Sequence, residues 1–242
     1  MEQTATFVRQ LLNYIPRAIP DYTDHGVQHS NNLTKIFHNF IQNLEKHFKG
    51  VELTEEEKWV ICLAIWLHDI GCLLTSEENK EKHNKYSVEI LERPEFHILA
   101  DWLGDDILKC VEFIALSHSS NYKLRNLPTD PIHSNIRLML VCAIFRLIDE
   151  CDITSARTKK VLYELLKAYN LLDAESIKFW KAHRTISSLV FEREKIVVYS
   201  VDLNAADLLV KHLESDLQEI NRGLAAEKFP TFKVKKVLMK VS

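Results

Sequence analysis

The segment WVICLAIWLHDIG, residues 59–71, is apolar on all sides until it ends in a histidine and an aspartate. Thr54 and Glu57 precede it with the spacing of a capping box, in which two side chains satisfy free amides at the start of a helix. Gly71 is a residue type that commonly follows a helix end. A helix without a polar face belongs at the centre of a helical bundle. The segment therefore predicts a central buried helix that carries two proton-binding side chains at its end.

Periodicity in the rest of the chain indicates a mostly α-helical protein. There are only five glycines, and up to about residue 183 apolar residues recur at the three- and four-residue spacing of buried helix faces. Beyond this point the alternation changes to period two, which predicts three strands at residues 188–200 and 231–242 around a helix at 204–222. The predicted units are a helical domain over residues 1–183 and a closely packed extension with a small antiparallel sheet over residues 184–242.

The composition excludes several classes of protein. The chain has 31 Lys and Arg against 34 Asp and Glu, so it lacks the strongly basic surface of a dedicated duplex-DNA binder. No apolar stretch approaches the roughly 20 residues that span a bilayer, and the amino terminus lacks the pattern of a secretion signal. The five cysteines form no Cys-x-x-Cys pair, which favours reduced thiols. We expect a cytoplasmic protein that is neither exported nor membrane-spanning.

Histidine and aspartate residues recur at the ends or on the inner faces of the predicted apolar helices. His29 lies one turn before an inward-facing leucine, His68 and Asp69 end the central helix, and Asp149 ends the apolar run at 135–150. Burial of several ionisable groups costs free energy unless something compensates their charge. A divalent cation does so, because imidazole nitrogens and carboxylates are common metal ligands. The pattern therefore predicts a metal centre.

The order of these residues resembles the H…HD…D signature of the HD-domain metal-dependent phosphohydrolase superfamily, over roughly residues 20–155. The flanking stretches YTDHGVQHSNNL and LIDECDIT resemble the local context of the first and last ligands in that superfamily. The sheet-bearing tail resembles the branch of HD proteins found in prokaryotic conflict and defence systems. The resemblance implies an HD-type helical bundle for the predicted helical domain.

The resemblance also implies a set of metal ligands. They are His29, His68, Asp69, His83, His118 and Asp149. Asp69 would bridge two ions, because a carboxylate has two oxygens to share. Many two-metal relatives have two adjacent histidines at the later position, where this chain has His118 followed by Ser119, so the number of ions, one or two, stays open. Such ligands suit Mn, Mg, Fe, Ni, Co and Zn, and the spacing does not choose among them.

Metal-assisted hydrolysis of a phosphoester is the chemistry that the resemblance implies. Asp69 would orient or deprotonate the attacking water. His25, one turn before the first ligand, would donate a proton to a substrate oxygen, and a solvent-exposed position at the helix entry is an equal alternative. Lys123, Arg125 and Arg157 are candidate substrate-binding residues, because cations are needed to neutralise phosphate groups.

Three other residues near these motifs have more than one interpretation. Asp152 follows the last implied ligand, and it either touches the site or meets solvent. His183 stands at the junction between bundle and sheet, where packing is favoured over contact with the site. His212 lies among polar neighbours and is expected on the surface.

Three functions compete at this stage. The first is a phosphohydrolase or phosphodiesterase that acts on a small phosphoester, with a nucleotide as the favoured substrate. The second is a di-iron oxygenase built on the same six ligands. The third is a nucleotide-sensing or partner-binding module without turnover. The strands of the tail offer an edge that can pair with a second copy of the chain or with a protein partner.

Overall fold

The computed structural model describes residues 2–15, 25–76 and 79–239. The helices in these ranges are α1 (Glu2–Leu12), α2 (Val27–His47), α3 (Glu55–Leu67), α4 (His83–Leu91), α5 (His97–Leu103), α6 (Asp105–Ser117), α7 (Leu138–Glu150), α8 (Lys160–Ala168), α9 (Ala174–Thr185) and α10 (Leu203–Ala226). The strands are β1 (Ile186–Glu192), β2 (Lys195–Ser200) and β3 (Lys233–Leu238). The helical majority with a small sheet near the carboxyl end confirms the predicted fold class. The first three residues of YTDHGVQHSNNL lie outside the described residues.

Two apolar helices, α3 and α7, lie in the hydrophobic core. The predicted capping box opens α3, since the Thr54 hydroxyl accepts from the amide of Glu57 at 3.0 Å and the Glu57 carboxylate accepts from the amide of Thr54 at 2.9 Å. In α7, residues 140–148 are all buried, including Arg146, whose guanidinium pairs with Asp216 at 2.8 Å. None of the helices in the described ranges is long and apolar enough to cross a membrane. The apolar character of α3 and α7 therefore reflects burial within the bundle.

The turn after α3 shows that the predicted role of Gly71 as a helix end is wrong. Helix α3 ends at Leu67, and His68 still has a helical backbone conformation with φ −62° and ψ −33°. Gly71 lies in the following 3₁₀ turn, Ile70–Leu74, where its amide donates to the Ser87 hydroxyl of α4 at 2.9 Å. A Cβ atom at this position would collide with the backbone of α4. Glycine is needed here for the close approach of two segments, and not to terminate the helix.

The sheet is mixed, so the predicted antiparallel arrangement is wrong for one of its two strand pairs. β1 and β2 form the predicted antiparallel hairpin. Its turn contains Arg193 at φ 56°, and the Asn43 side chain of α2 both accepts from and donates to the Arg193 backbone, at 2.8 and 2.9 Å. β3 pairs parallel to β2. Helix α10 runs between these strands and returns the chain to the end where β2 began, which is the connection that parallel strands require.

The tail shares a hydrophobic core with the helical bundle. Ile186, Ile196 and Val198 of the sheet belong to the same cluster of buried side chains as the apolar residues of α3 and α7. Phe40 of α2 packs on Phe191 of β1, with 5.3 Å between the ring centroids. Helix α10 packs against both α7 and α9. This core crosses residue 183, and the division of the chain into residues 1–183 and 184–242 stays a prediction.

Candidate metal centre

Four polar side chains from three separate segments of the chain converge at one end of the bundle. His29 lies on α2, His68 and Asp69 directly follow α3, and Asp149 lies in the last turn of α7. The Nε2 atoms of His29 and His68 are 3.3 Å apart. His29 Nε2 is 3.1 Å from Asp149 Oδ1, and His68 Nε2 is 3.1 Å from Asp69 Oδ2. The structure thus brings together the residues that the resemblance implies for a first metal ion.

A second group of potential ligands adjoins the first and shares Asp69 with it. The Nε2 atoms of His83, at the start of α4, and His118, after α6, are 2.8 Å apart. Both nitrogens face Asp69 Oδ1, at 3.8 Å for His83 and 3.6 Å for His118. The other oxygen of Asp69, Oδ2, faces His68 and His29. The carboxylate therefore has one oxygen toward each group, as a bridging ligand would.

The tight turn after the central helix sets the position of this second group. The Ser87 hydroxyl of α4 donates to the His68 carbonyl at 2.5 Å and accepts from the Gly71 amide at 2.9 Å. These two hydrogen bonds tie α4 to the His-Asp turn, and α4 begins with His83. Because Gly71 has no side chain, the two segments approach closely enough for His83 to reach Asp69.

Three of the histidines have Nδ1 atoms with hydrogen-bond acceptors on the side of the ring that faces away from the cluster. The acceptors are Asp152 Oδ2 for His29 at 2.7 Å, the Ala64 carbonyl for His68 at 3.1 Å and the Ala115 carbonyl for His118 at 2.6 Å. An Nδ1–H donor leaves a lone pair on Nε2 in the neutral ring, and this arrangement orients histidines in metal sites. The three Nε2 atoms are therefore presented as donors to the centre of the cluster.

Lowered pKa values keep three groups of the cluster in forms suited to metal binding. Burial, together with the neighbouring His83 and His68, lowers the pKa of His118 to about 3, so this ring is neutral at pH 7. Burial by itself raises the pKa of Asp69, but His68 and His25 outweigh it and hold that pKa well below its usual range. For Asp149, hydrogen bonding to His29 and nearby imidazoles likewise outweigh burial and lower the pKa. Neutral imidazole and ionised carboxylate are the forms that bind a cation.

His29 carries the opposite shift, because two carboxylates flank its ring. Burial and the nearby Arg157 lower its pKa, but hydrogen bonds to Asp149 and Asp152 outweigh them and raise the pKa to about 9. Without a cation the ring is therefore protonated at pH 7, and a bound metal ion would displace the Nε2 proton. The ring is 1% exposed. Asp152 also accepts from the Asn32 side chain at 3.3 Å. Of the two interpretations of Asp152, contact with the site is the one that the structure shows, because its carboxylate contacts the Nδ1 side of the potential ligand His29.

His25 and Arg157 lie side by side at the edge of the cluster. His25 Nδ1 is 2.9 Å from Asp69 Oδ2, and Arg157 Nη2 is 3.2 Å from both ring nitrogens of His25. Burial and the Arg157 charge lower the pKa of His25 to about 4, so the ring is neutral at pH 7. Arg157 also lies 3.7 Å from Asp152. The structure therefore places both residues beside the potential ligands, while their roles in catalysis and substrate binding stay predictions.

The structure does not bring Lys123 and Arg125 to the cluster. Both side chains are exposed, whereas Leu124 between them is buried and Leu127 packs inward as well. The Leu124 amide donates to Glu219 of α10 at 3.1 Å, which fixes this loop against the helix. With the apolar residues facing the core, the two cations face solvent. Their predicted contact with substrate has no support from this geometry.

A cavity of about 390 Å³ opens beside the cluster. Its lining includes Asp69, Asp149 and Arg157 as well as residues that sequence analysis did not assign to the site. These additional residues are Glu150, Phe179, His183, Leu209 and His212. The periodicity of α9 and α10 predicts which side chains are buried, but it contains no signal that the buried faces of these two helices border the polar cluster. This volume falls in the range that binds small molecules.

Comparison with known proteins identifies a family for most of the chain. Residues 19–225 match the family model described as HD-CE, which is of the HD-domain type. The match covers the potential ligands from His29 to Asp149 and extends through β1, β2 and nearly all of α10. No curated protein matches the chain.

Proposed function

Because the chain belongs to the HD-CE family, we propose that it is a metal-dependent phosphohydrolase and that its substrate is a nucleotide or a related phosphoester. One observation carries the proposal. Three overlapping groups of histidine and carboxylate donors are linked through His29 and Asp69, and the ligand atoms within each group lie within 4.8 Å of one another. A cluster of this kind beside a small-molecule cavity is the arrangement that metal-assisted hydrolysis requires.

The donor geometry fits a resident divalent cation. Two donors that each lie 2.0–2.1 Å from one ion are separated by about 3 Å at the usual coordination angles. The distances from His29 Nε2 to His68 Nε2 and to Asp149 Oδ1, 3.3 and 3.1 Å, agree with this spacing. The Nε2 atoms of His83 and His118, 2.8 Å apart, fit a second ion. Burial of so many ionisable groups without a compensating cation would be costly.

The proposed mechanism assigns separate tasks to the residues of the site. A divalent cation supplies Lewis-acid chemistry, which polarises a phosphoryl oxygen and acidifies a water molecule. Asp69 remains ionised and orients the attacking water through a hydrogen bond. Arg157 binds a phosphoryl oxygen with its guanidinium. His25, which is hydrogen-bonded to Asp69 and lines the cavity, would take up the proton released by the attacking water and give it to the leaving oxygen of the substrate.

The ligand chemistry narrows the choice of metal without deciding it. Four of the six proposed ligands are histidines. Imidazole is a good ligand for Zn, Fe, Ni and Co, whereas Mg prefers sites built from carboxylate and water oxygens. We therefore expect a first-row transition metal, which includes Mn, or Zn at one or both positions. Elemental analysis of the purified protein measures both the identity and the number of the ions.

Hydrolysis assays on metal-reconstituted protein test the proposed function. Protein stripped with EDTA and reloaded separately with Mn, Mg, Fe, Co, Ni or Zn is assayed on bis(p-nitrophenyl) phosphate and on nucleoside mono-, di- and triphosphates. We expect turnover with at least one metal, and near-background rates for Asp69→Asn. Asp101→Asn removes an exposed carboxylate far from the motifs and serves as the matched control, with activity equal to wild type.

Three outcomes separate the competing functions. A wild-type protein that binds no divalent metal, or that matches Asp69→Asn on every substrate, overturns the proposal. Tight binding of a nucleotide that stays intact during long incubation indicates a sensing module. Product formation that requires both iron and dioxygen indicates the oxygenase.

A further inference from the structure

One buried histidine in the cavity has a ring nitrogen without a partner. Among the described residues, His183 Nδ1 is the one buried side-chain nitrogen or oxygen atom that makes no hydrogen bond. The residue is only 5% exposed. Buried polar atoms in native proteins are nearly always hydrogen-bonded, so an exception inside a binding cavity points to a group supplied by a ligand.

The protonation of this ring determines what kind of group it can bind. Interaction with the backbone at Ile153 and Thr154 favours a proton on the His183 ring. In the neutral ring one nitrogen carries the proton and the other a lone pair, and the absence of a partner at Nδ1 assigns the proton to Nε2. Burial, together with the Arg157 charge, lowers the pKa of His183 to about 3, so the ring is neutral at pH 7. Nδ1 therefore holds a lone pair and accepts a hydrogen bond.

Apolar side chains from two helices without proposed metal ligands line the cavity together with His183, while Arg157 and Asp152 supply charge near its ring. Phe179 precedes His183 by four residues on α9, so both side chains lie on the same helix face. Leu209 of α10 and Ile153 also line the cavity. The cavity thus combines ionised and metal-binding groups with apolar side chains of α9 and α10, and His183 offers a hydrogen-bond acceptor beside them.

We propose that Phe179, His183 and Leu209 form a subsite for the heterocyclic base of a nucleotide, with His183 Nδ1 accepting a hydrogen bond from a base N–H group. A phosphate oxygen has no proton to offer this atom and would place its own lone pair against it. A lipid chain fits the apolar surface but has no donor, and a sugar has donors but no flat apolar face. A base has both, because its ring stacks on an aromatic side chain while its edge donates.

The position of the phosphate in this argument rests on the proposed function. The subsite gives α9 and α10 a role in binding the base. With the phosphoryl group at Asp69, Asp149 and Arg157, the uncharged part of the substrate reaches the apolar lining of the same cavity. The helices after residue 160 would then select the substrate, whereas the helices before it carry the reaction. The pairing of His212 with Glu150, at 3.6 Å, borders the cavity as well.

The test compares nucleotides that differ in a single property, the base N–H group. Binding of AMP, GMP, CMP and UMP to the metal-loaded protein is measured by calorimetry, with chromatography to verify that each nucleotide stays intact, against purine riboside 5′-monophosphate, whose base has no N–H. We expect at least one natural nucleotide to bind about two- to tenfold more tightly than purine riboside 5′-monophosphate, the factor that one hydrogen bond contributes. His183→Leu should remove this difference. Phe179→Leu, which keeps the acceptor but not the flat ring, should weaken all five ligands by similar factors.

Controls distinguish the subsite from general damage and from the catalytic proposal. His38→Leu changes an exposed histidine and should leave every affinity unchanged. Circular dichroism of each variant verifies folding, and hydrolysis of bis(p-nitrophenyl) phosphate should be the same in His38→Leu and wild type. Equal binding of purine riboside 5′-monophosphate and all four natural nucleotides by wild type overturns the subsite, as does unchanged discrimination in folded His183→Leu. If discrimination is present without any hydrolysis, the subsite stands and the catalytic proposal fails.

Discussion

Replacement of Gly71 by alanine tests the packing that links the His-Asp turn to α4. Gly71 does not have a positive φ, so alanine causes no backbone strain there. Its Cβ atom would nevertheless collide with the His83 carbonyl and the Ser87 amide, and it would lie 2.7 Å from the Ser87 hydroxyl. Two of these atoms belong to the backbone and cannot rotate away. We expect α4 to be displaced from the turn.

The structure supplies a magnitude for this change. Overpacking of a buried contact costs about 1–3 kcal/mol. Displacement of α4 also breaks the hydrogen bonds of Ser87 with the Gly71 amide and the His68 carbonyl, at about 1 kcal/mol each. The reduced freedom of the unfolded chain with alanine offsets about 0.4–1 kcal/mol. Gly71→Ala should therefore lower the free energy of unfolding by about 2–5 kcal/mol.

Urea denaturation followed by circular dichroism measures this loss, and Gly50→Ala is the matched control. Gly50 has φ 75° but no atom within 4 Å of an added Cβ, so its alanine variant is strained without being crowded. That strain costs about 1–2 kcal/mol, and the lower conformational freedom of the unfolded chain with alanine offsets part of this cost. Calorimetric titration with Mn provides a second measurement. Because α4 carries His83, Gly71→Ala should weaken the second proposed metal position, while Gly50→Ala should not.

A particular pair of results would refute this reasoning. If Gly71→Ala is no less stable than Gly50→Ala and binds Mn with the same stoichiometry and affinity, the turn and α4 are not in close contact. The position of His83 would then not depend on Gly71.

For three further substitutions, the structure predicts the direction in which the unfolding free energy or the KM changes. Between pH 7 and pH 5 in EDTA, the unfolding free energy of wild type should fall by about 2 kcal/mol more than that of His183→Leu. The reason is that the folded His183 ring, with a pKa of about 3, stays neutral, whereas the unfolded ring protonates below about 6.5. Equal pH dependence of the two proteins in urea titrations would contradict the buried neutral ring. Arg146→Met should lower the unfolding free energy by about 3–5 kcal/mol, since it leaves Asp216 as an uncompensated buried charge, and Arg146→Met with Asp216→Leu should recover much of the loss. Arg157→Gln should raise the KM for a phosphodiester about tenfold or more without altering metal content, and an unchanged KM would exclude contact with phosphate.

Local patterns were sufficient for the helices and for much of the polar cluster. The capping box at Thr54 and Glu57 was predicted correctly because its two hydrogen bonds join residues three apart. His29, His68 and Asp149 each adjoin an apolar helix face, and the structure brings all three together with Asp69. Their convergence could be expected because polar groups at the buried ends of helices have few other places to find partners.

Long-range contacts were responsible for what the patterns missed. Alternation of apolar residues identifies β3 as a strand, but its parallel direction depends on the path of α10. Lys123 and Arg125 face solvent because the Leu124 amide between them bonds to Glu219, 95 residues away in the chain. Asp152 reaches His29 across 123 residues. None of these pairings leaves a periodic trace in the sequence.

By itself, the sequence determined the helical class, the ends of several helices and the identity of the residues in the central His and Asp cluster. These properties follow from hydrogen bonds and apolar spacing within one or two turns. Only the tertiary structure decided that Gly71 is a contact rather than a helix end, and that α9 and α10 close the cavity with Phe179, His183 and Leu209. The physical reason is that close packing between distant segments depends on the shape of both surfaces, and a one-dimensional pattern describes only one surface at a time.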